Sequence, residues 1–377
     1  MHVYEDLGFI PCGRMMKPDS LVRKNILKSD PYVAGKPIQE TKREFGLKEV
    51  FKLASNENPL GPSPKALSAI SRALCGLNRY PDSRGYLLKK KLAAQLGVGS
   101  DSIVLGNGSD ELIDVVIKTF VEDDEFILTS ESTFLEYAII GQVNNRKVKR
   151  IPLCGFRYDL KAIAAAATAK CKLIFIANPN NPTGTYVSRK EVEAFLRIIS
   201  KNTIVVFDEA YDTFIDVDDY PHSLRYLKNK NVIILKTFSK AFGLAGLRIG
   251  YALADKALAK YMERVRQPFN VNSLALVAAV AALDDRAYLK RSRKANHSEK
   301  KFLYAQLKRM GLDFVPSVTN FILLNTGKNG VKVFRALLKF GVIVRDMQQY
   351  GLNDYIRVTI GNRRENEKFI KALKKVL

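Results

Sequence analysis

From residue 103 onward the chain repeats one pattern: a short run that is apolar throughout, then a segment of helix length. Ile103-Val104-Leu105, Phe126-Ile127-Leu128, Leu173-Ile174-Phe175-Ile176, Ile204 to Phe207 and Val232 to Leu235 are such runs. Two further segments, Lys147-Val148-Lys149-Arg150-Ile151 and Arg248-Ile249-Gly250-Tyr251, also read as strands although they carry charged residues. A strand that is apolar on both faces must be covered on both faces, and parallel neighbours need a crossover that a helix supplies. The pattern predicts an α/β fold, a mostly parallel sheet between helices. Such sheets bind ligands beyond the carboxyl ends of their strands. The residues just after each run are therefore the ones to examine.

The flanking segments read differently. Residues 17–52 are polar and carry Pro31, Gly35 and Pro37, which predicts an extended arm and then a short helix. Leu53 to Pro64 is a loop, because its prolines and Gly61 forbid regular structure. Pro64 suits the first turn of a helix over Lys65 to Leu74, and a second helix over Leu87 to Leu96 stops at Gly97. Beyond about residue 284 a long basic helix leads to short strands at Asn320 to Leu324, Val342 to Arg345 and Tyr355 to Gly361, with a helix from Gly330 to Phe340. The expected organisation is a large domain over 63–283, a smaller α+β domain built from 30–62 and 284–377, and an N-terminal arm or extension over 1–29. Met15-Met16 reads like a second start, which would make residues 1–14 an upstream extension; the sequence leaves that open.

Composition excludes several classes. The longest apolar stretch, Leu274 to Leu283, falls short of the ~20 residues a membrane span needs. Cys12, Cys75, Cys154 and Cys171 show no C-x-x-C spacing, and His2, His222 and His297 are scattered, so neither a metal site nor a disulfide framework is expected. A reducing cytoplasm is the simplest home. The formal charge of +23 favours anionic partners. Its densest stretch, Lys290 to Arg309, has helical spacing with Phe302, Leu303 and Leu307 interleaved, which reads as a solvated helix face. Without a nucleic-acid-binding motif, small anionic molecules are the expected partners.

Chemistry concentrates after four of the runs. Lys236-Thr237-Phe238-Ser239-Lys240 follows Val232 to Leu235, and Arg248 comes shortly after. A lysine at the mouth of a buried strand can lose its proton and attack a carbonyl. Ile204-Val205-Val206-Phe207-Asp208-Glu209-Ala210-Tyr211 ends a second run in an acid. Helix capping and a Walker B role compete for Asp208, but no G-x-x-x-x-G-K-[ST] precedes it. Gly106-Asn107-Gly108-Ser109-Asp110 joins a strand to a helix and could dock a phosphate, or be simply a tight turn. Ala177-Asn178-Pro179-Asn180-Asn181-Pro182-Thr183-Gly184 presents asparagines on a proline-fixed backbone, either as caps or as donors to a ligand. A Schiff-base lysine and an acid that pairs with a pyridinium nitrogen are a protein's main contributions to pyridoxal phosphate chemistry.

Together these segments resemble the fold-type I pyridoxal phosphate aminotransferases, in order and spacing, from about residue 17 onward. Within them, Asp30-Pro31-Tyr32-Val33-Ala34-Gly35-Lys36-Pro37, Leu53 to Pro59, Arg79-Tyr80-Pro81-Asp82 and Tyr355 to Gly361 look like segments of the histidinol-phosphate aminotransferase family. The resemblance implies that Lys240 carries the cofactor and shuttles a proton, and that Asp208 binds the ring nitrogen. It implies that Asn181 and Tyr211 reach the phenolic oxygen and that Phe134 stacks on the ring. Ser109, Asp110, Thr237, Ser239 and Arg248 would hold the cofactor phosphate, joined by Tyr80 from the partner subunit of a homodimer with shared sites. Tyr32, Asn58, Arg345 and Arg357 would contact substrate. The implied activity is transamination between L-histidinol phosphate and 2-oxoglutarate, a step of histidine biosynthesis. Rivals are an aromatic amino acid aminotransferase, a phospho-amino acid decarboxylase of the same fold, and a basic nucleic-acid-binding protein with a vestigial site.

Overall fold

A computed structural model describes residues 18–29, 31, 33 and 35–377. The early helices are α1 (Lys24–Leu27) and α2 (Ile38–Phe45), followed by the short strand β1 (Phe51–Lys52). Two helices lead into the sheet, α3 (Pro64–Ala73) and α4 (Tyr86–Leu96). Pro64 occupies the first turn of α3, and Ser63 caps it by accepting the Ala66 N–H at 3.1 Å. Gly97 ends α4 in the left-handed conformation at φ 68°, a backbone shape that glycine adopts without a Cβ penalty.

The strand–helix alternation is present as β2 (Ile103–Gly106), α5 (Gly108–Phe120), β3 (Phe126–Ser130), α6 (Glu136–Val143), β4 (Lys147–Ile151), α7 (Leu160–Ala166), β5 (Cys171–Ala177), α8 (Arg189–Ile198) and β6 (Ile204–Asp208). Next come β7 (Val232–Thr237), β8 (Gly250–Ala254), α9 (Lys256–Val265) and α10 (Ser273–Leu283). These strands form one seven-stranded sheet in the order β2-β8-β7-β6-β5-β3-β4. Six of the seven run in the same direction, and β8 runs antiparallel to both its neighbours, β7 and β2. The connection from β7 to β8 contains only a single short 3-10 turn, so the chain returns beside β7 without the crossover a parallel partner requires. The final strand also starts later than the sequence suggests, at Gly250, because Arg248 adopts a left-handed backbone at φ 54°.

The remaining elements are α11 (Arg286–Arg309), β9 (Phe314–Val315), β10 (Phe321–Asn325), α12 (Gly330–Lys339), β11 (Val342–Ile343), β12 (Arg345–Asp346), β13 (Tyr355–Thr359) and α13 (Arg363–Val376). An antiparallel sheet in the order β12-β13-β10-β9 forms here, and β11 pairs in parallel with β1. Two large apolar cores result. One is built from residues between Ala66 and Ala282 around the seven-stranded sheet. The other gathers Leu53 with residues from Leu303 to Leu373. Leu53 reaches the second core because β1 adds to β11, which brings the loop after β1 between the two cores. The overall architecture is the expected α/β sheet between helices plus a smaller α+β unit.

Candidate active site

The carboxyl ends of β5, β6 and β7 lie side by side: Ala177 faces Asp208, and Asp208 faces Leu235 in register. Because β8 and β2 run antiparallel to each other, the start of β8 at Gly250 meets both Thr237 and Gly106 at the same edge. A cavity of about 630 Å³ opens there, walled on its far side by Ala54, Asn56, Arg345 and Arg357.

At one end of this cavity is the first turn of α5, which no side chain caps. Its amides lie unusually close to the sheet. A Cβ on Gly250 would come within 2.8 Å of the Ser109 nitrogen and 2.7 Å of the Lys236 carbonyl oxygen. Gly108, at φ 83°, is likewise crowded, since a Cβ there would meet Arg248 Nη2 at 2.6 Å. Arg248 is oriented by Asp110, whose Oδ2 accepts from Nη2 at 2.9 Å. Thr237 and Ser239 share the cavity wall, and Thr237 Oγ1 accepts the Ser239 N–H at 3.1 Å. A backbone cradle that only glycine permits, a helix N-terminus and a guanidinium suit a phosphate ester.

Deeper in the cavity sits Asp208, buried at the end of β6. Its Oδ2 accepts from the Tyr137 hydroxyl at 2.8 Å and its Oδ1 from the Ala210 N–H at 3.1 Å. Burial raises the carboxyl to about 6, while those two donors hold it down. Behind it, Lys236 pairs with Glu209 at 2.7 Å and Asp212 at 2.5 Å. Burial would raise Glu209, but the Lys236 ammonium outweighs it and keeps Glu209 below the usual carboxylate range. Across the cavity, Lys240 donates from Nζ to the Ser55 carbonyl at 3.2 Å and lies 5.7 Å from the centre of the Tyr211 ring. Burial pushes the Tyr211 hydroxyl up to about 12, and it accepts from Asn56 Nδ2 at 2.9 Å. An acid poised beneath a pocket with Phe134 on its wall can hold a cationic aromatic ring.

The far wall is cationic. Arg357 is buried; Nη2 donates to the Ala54 carbonyl at 2.7 Å and Nη1 to Asn181 Oδ1. That leaves the Asn181 NH₂ as the side-chain group able to donate to a ligand. Arg357 Nε has no hydrogen-bond partner, and no carboxylate pairs with this guanidinium among the described residues. Arg345 is buried beside it: the two are direct cross-strand partners of β12 and β13. Like charges placed opposite each other on a sheet destabilise it. An anion bound in the cavity would relieve that repulsion.

One expected contact among the described residues is not brought to the cavity. Asn58 is turned away, its Nδ2 donating to the Ala241 carbonyl and to Ser292 Oγ, both at 2.9 Å. The reason is local. Asn56 adopts a left-handed backbone at φ 55°, which interrupts the extended run. Asn56 faces the cavity, while Asn58 ties the loop to α11. Tyr80 is 82% exposed and stacks on Phe269 at 4.7 Å, outside this chain's own cavity. Tyr32 lies outside the described residues. Conversely, Tyr137 and Asn56 belong to the site and were not anticipated. The sequence signal at Tyr137 is that of an ordinary core residue in an apolar helix, with nothing to mark its hydroxyl.

Comparison with known proteins fits this geometry. The profile of the family "Aminotransferase class I and II" matches residues 48–373. Histidinol-phosphate aminotransferase of Moorella thermoacetica is 47% identical over 94% of this chain and 92% of its own length. Histidinol-phosphate aminotransferase 2 of Carboxydothermus hydrogenoformans is 46% identical over 95% of this chain and 99% of its own. Among solved structures, the histidinol-phosphate aminotransferase of Sinorhizobium meliloti in complex with pyridoxal 5'-phosphate superposes with a TM-score of 0.86. That pair is 29% identical and covers 94% of this chain and 97% of the other. A lysine, a buried acid and paired arginines around one cavity, on this fold and at these identities, make the chain a member of the histidinol-phosphate aminotransferase family, within the class I and II aminotransferases.

Proposed function

We propose that this chain is a pyridoxal phosphate-dependent transaminase that interconverts L-histidinol phosphate plus 2-oxoglutarate with imidazole acetol phosphate plus L-glutamate. The observation that carries the reading is the convergence of Lys240, Asp208, Arg345 and Arg357 on one cavity. When bound, pyridoxal phosphate supplies an electron sink for the charge left when a substrate Cα–H is ionised. The α5 amides at Ser109 and Asp110, with Thr237, Ser239 and Arg248, would hold its phosphate. Asp208 would hold its ring nitrogen protonated; Asn181 and Tyr211 would reach its phenolic oxygen, and Phe134 would cover one ring face. Lys240 would attach it through the amine and then take the proton from the substrate Cα. Arg357 would bind the α-carboxylate of glutamate and, with Arg345, the phosphate of the partner substrate.

The same reading extends to the whole molecule. The two apolar cores support a large domain over residues 63–283 and a small domain from 30–62 and 284–377. Tyr80 and Phe269 would meet a second copy, making a homodimer in which Tyr80 serves the partner's cofactor phosphate. A cytoplasmic setting is supported by the unpaired Cys75, Cys154 and Cys171. No helix among the described residues is long and apolar enough to cross a membrane.

Lys240→Ala is the direct test. It should abolish both half-reactions while the fold and part of the cofactor affinity persist, because the phosphate cradle is untouched. Circular dichroism, equilibrium cofactor binding and half-reaction kinetics report these separately. Near-wild-type turnover would refute the assignment.

A further inference from the structure

Tyr137 is fully buried in the first turn of α6 and makes three side-chain contacts, two of them with residues that line the cavity. Its hydroxyl donates to Asp208 Oδ2 at 2.8 Å. Its ring stacks on Phe175 with centroids 4.8 Å apart and planes 8° apart. Its edge meets Phe134, the aromatic on the cavity wall, at 5.6 Å and 83°. One side chain thus connects the acid beneath the cavity to the ring beside it.

We propose that Tyr137 is a positioning residue that keeps the Asp208 carboxylate ionised and in one orientation, and so sets the affinity for the cationic cofactor ring. This rests on the reading of Asp208 as the ring nitrogen's partner. The physical need is plain. A carboxylate buried this deeply is driven toward its neutral form, which cannot hold a proton on a pyridine nitrogen. The neighbouring acids work against it: Asp110 on α5 and the adjacent Glu209 both repel the ionised form, though Lys236 partly offsets Glu209. The hydroxyls of Tyr158, Tyr211 and Tyr220 around it are neutral, and the cations that share the cavity are Lys240, Arg248 and Arg357. What favours the charge is donation, from the Ala210 N–H on one oxygen and the Tyr137 O–H on the other. A hydroxyl donor to a charged acceptor is worth enough to shift the acid's titration by about one unit or more.

Tyr137→Phe deletes this donor and keeps the ring, hence both aromatic contacts. The dissociation constant of pyridoxal phosphate from the holoenzyme is measured between about pH 6 and 9, with thermal unfolding of the cofactor-free protein as a check on the fold. Removing the donor raises the Asp208 carboxyl. The variant should therefore bind roughly ten-fold more weakly near pH 6.5 and converge on wild type above about pH 8.5, where both proteins are ionised. Replacing Tyr137 by 3-fluorotyrosine, a stronger donor of nearly the same shape, should move the profile the opposite way. A loss of affinity that is uniform across pH, no loss, or a fluorotyrosine profile that moves with that of phenylalanine would overturn the proposal. Asp208→Asn is run in parallel and should weaken binding throughout the range. If Asp208→Asn changes nothing, the role of Asp208 itself fails, a result separable from a failure at Tyr137 alone.

Discussion

Burying a guanidinium without a carboxylate costs on the order of several kcal/mol, and a fold retains such a residue only where something repays the cost. Arg357 is that residue here, with Arg345 opposite it on the neighbouring strand. The two need not serve the same substrate. Arg357 is bonded to Asn181 and to the Ala54 carbonyl, which fixes it on the Asn181 side of the cavity, whereas Arg345 reaches toward Gln349. Arg357→Ala should therefore impair the glutamate and the histidinol phosphate half-reactions alike. Arg345→Ala should damage histidinol phosphate turnover far more than phenylalanine turnover, by roughly ten- to hundred-fold in kcat/KM for one charge-assisted contact of about 1.5–3 kcal/mol. Equal losses for both amino donors under Arg345→Ala would point to an aromatic aminotransferase. Tyr32, the third contact expected for the phosphate, lies outside the described residues.

At the scale of elements, the proposed phosphate cradle depends on how closely α5 approaches the sheet. The antiparallel pairing of β8 puts Gly250 against both Thr237 and Gly106, and the absence of a side chain lets the first turn of α5 settle onto that corner. Gly250→Ala forces either β7 or the start of α5 to shift, since the new methyl would press on backbone atoms on both sides. Such overpacking costs about 1–3 kcal/mol. We expect a lower thermal midpoint and, more tellingly, a loss of cofactor affinity exceeding that seen for pyridoxal without its phosphate. If both ligands weakened equally, the helix start would not be the phosphate site.

Viewed as a whole, the molecule exposes more apolar side chain along one stretch than a monomer comfortably carries. Leu67, Leu74, Leu77, Tyr80, Tyr86 and Leu87 are all exposed, and Tyr80 is stacked on the exposed Phe269. These residues lie on α3, on α4 and on the turn between them. Asp82 locks that turn by accepting the Arg84 and Tyr86 N–H groups at 2.9 and 2.7 Å, so Tyr80 is presented from a fixed frame. If this face joins two copies, Leu77→Glu combined with Leu87→Glu should convert a dimer to a monomer in sedimentation. The monomer should also lose cofactor, because each site would lack the Tyr80 of the other copy. A wild-type protein that sediments as a monomer at micromolar concentration would rule this out.

Much of this was legible in the chain itself, for a reason that is local. Burial on both faces dictates the apolar runs, and the residue that follows each run is where a parallel sheet opens to ligand. Hence the chain alone places Asp208, Asn181, Lys240 and the Gly106–Asp110 turn at one edge of the sheet. What depends on register and long-range packing could not. Arg345 and Arg357 become neighbours only because β12 and β13 pair in one particular register. Asn56 and not Asn58 faces the cavity because one left-handed residue turns the loop. The direction of β8 follows from a short connection folding back, not from its composition. Tyr137 finds Asp208 across 71 residues of chain, through a hydroxyl that periodicity, which records only how deeply a side chain is buried, has no means of reporting.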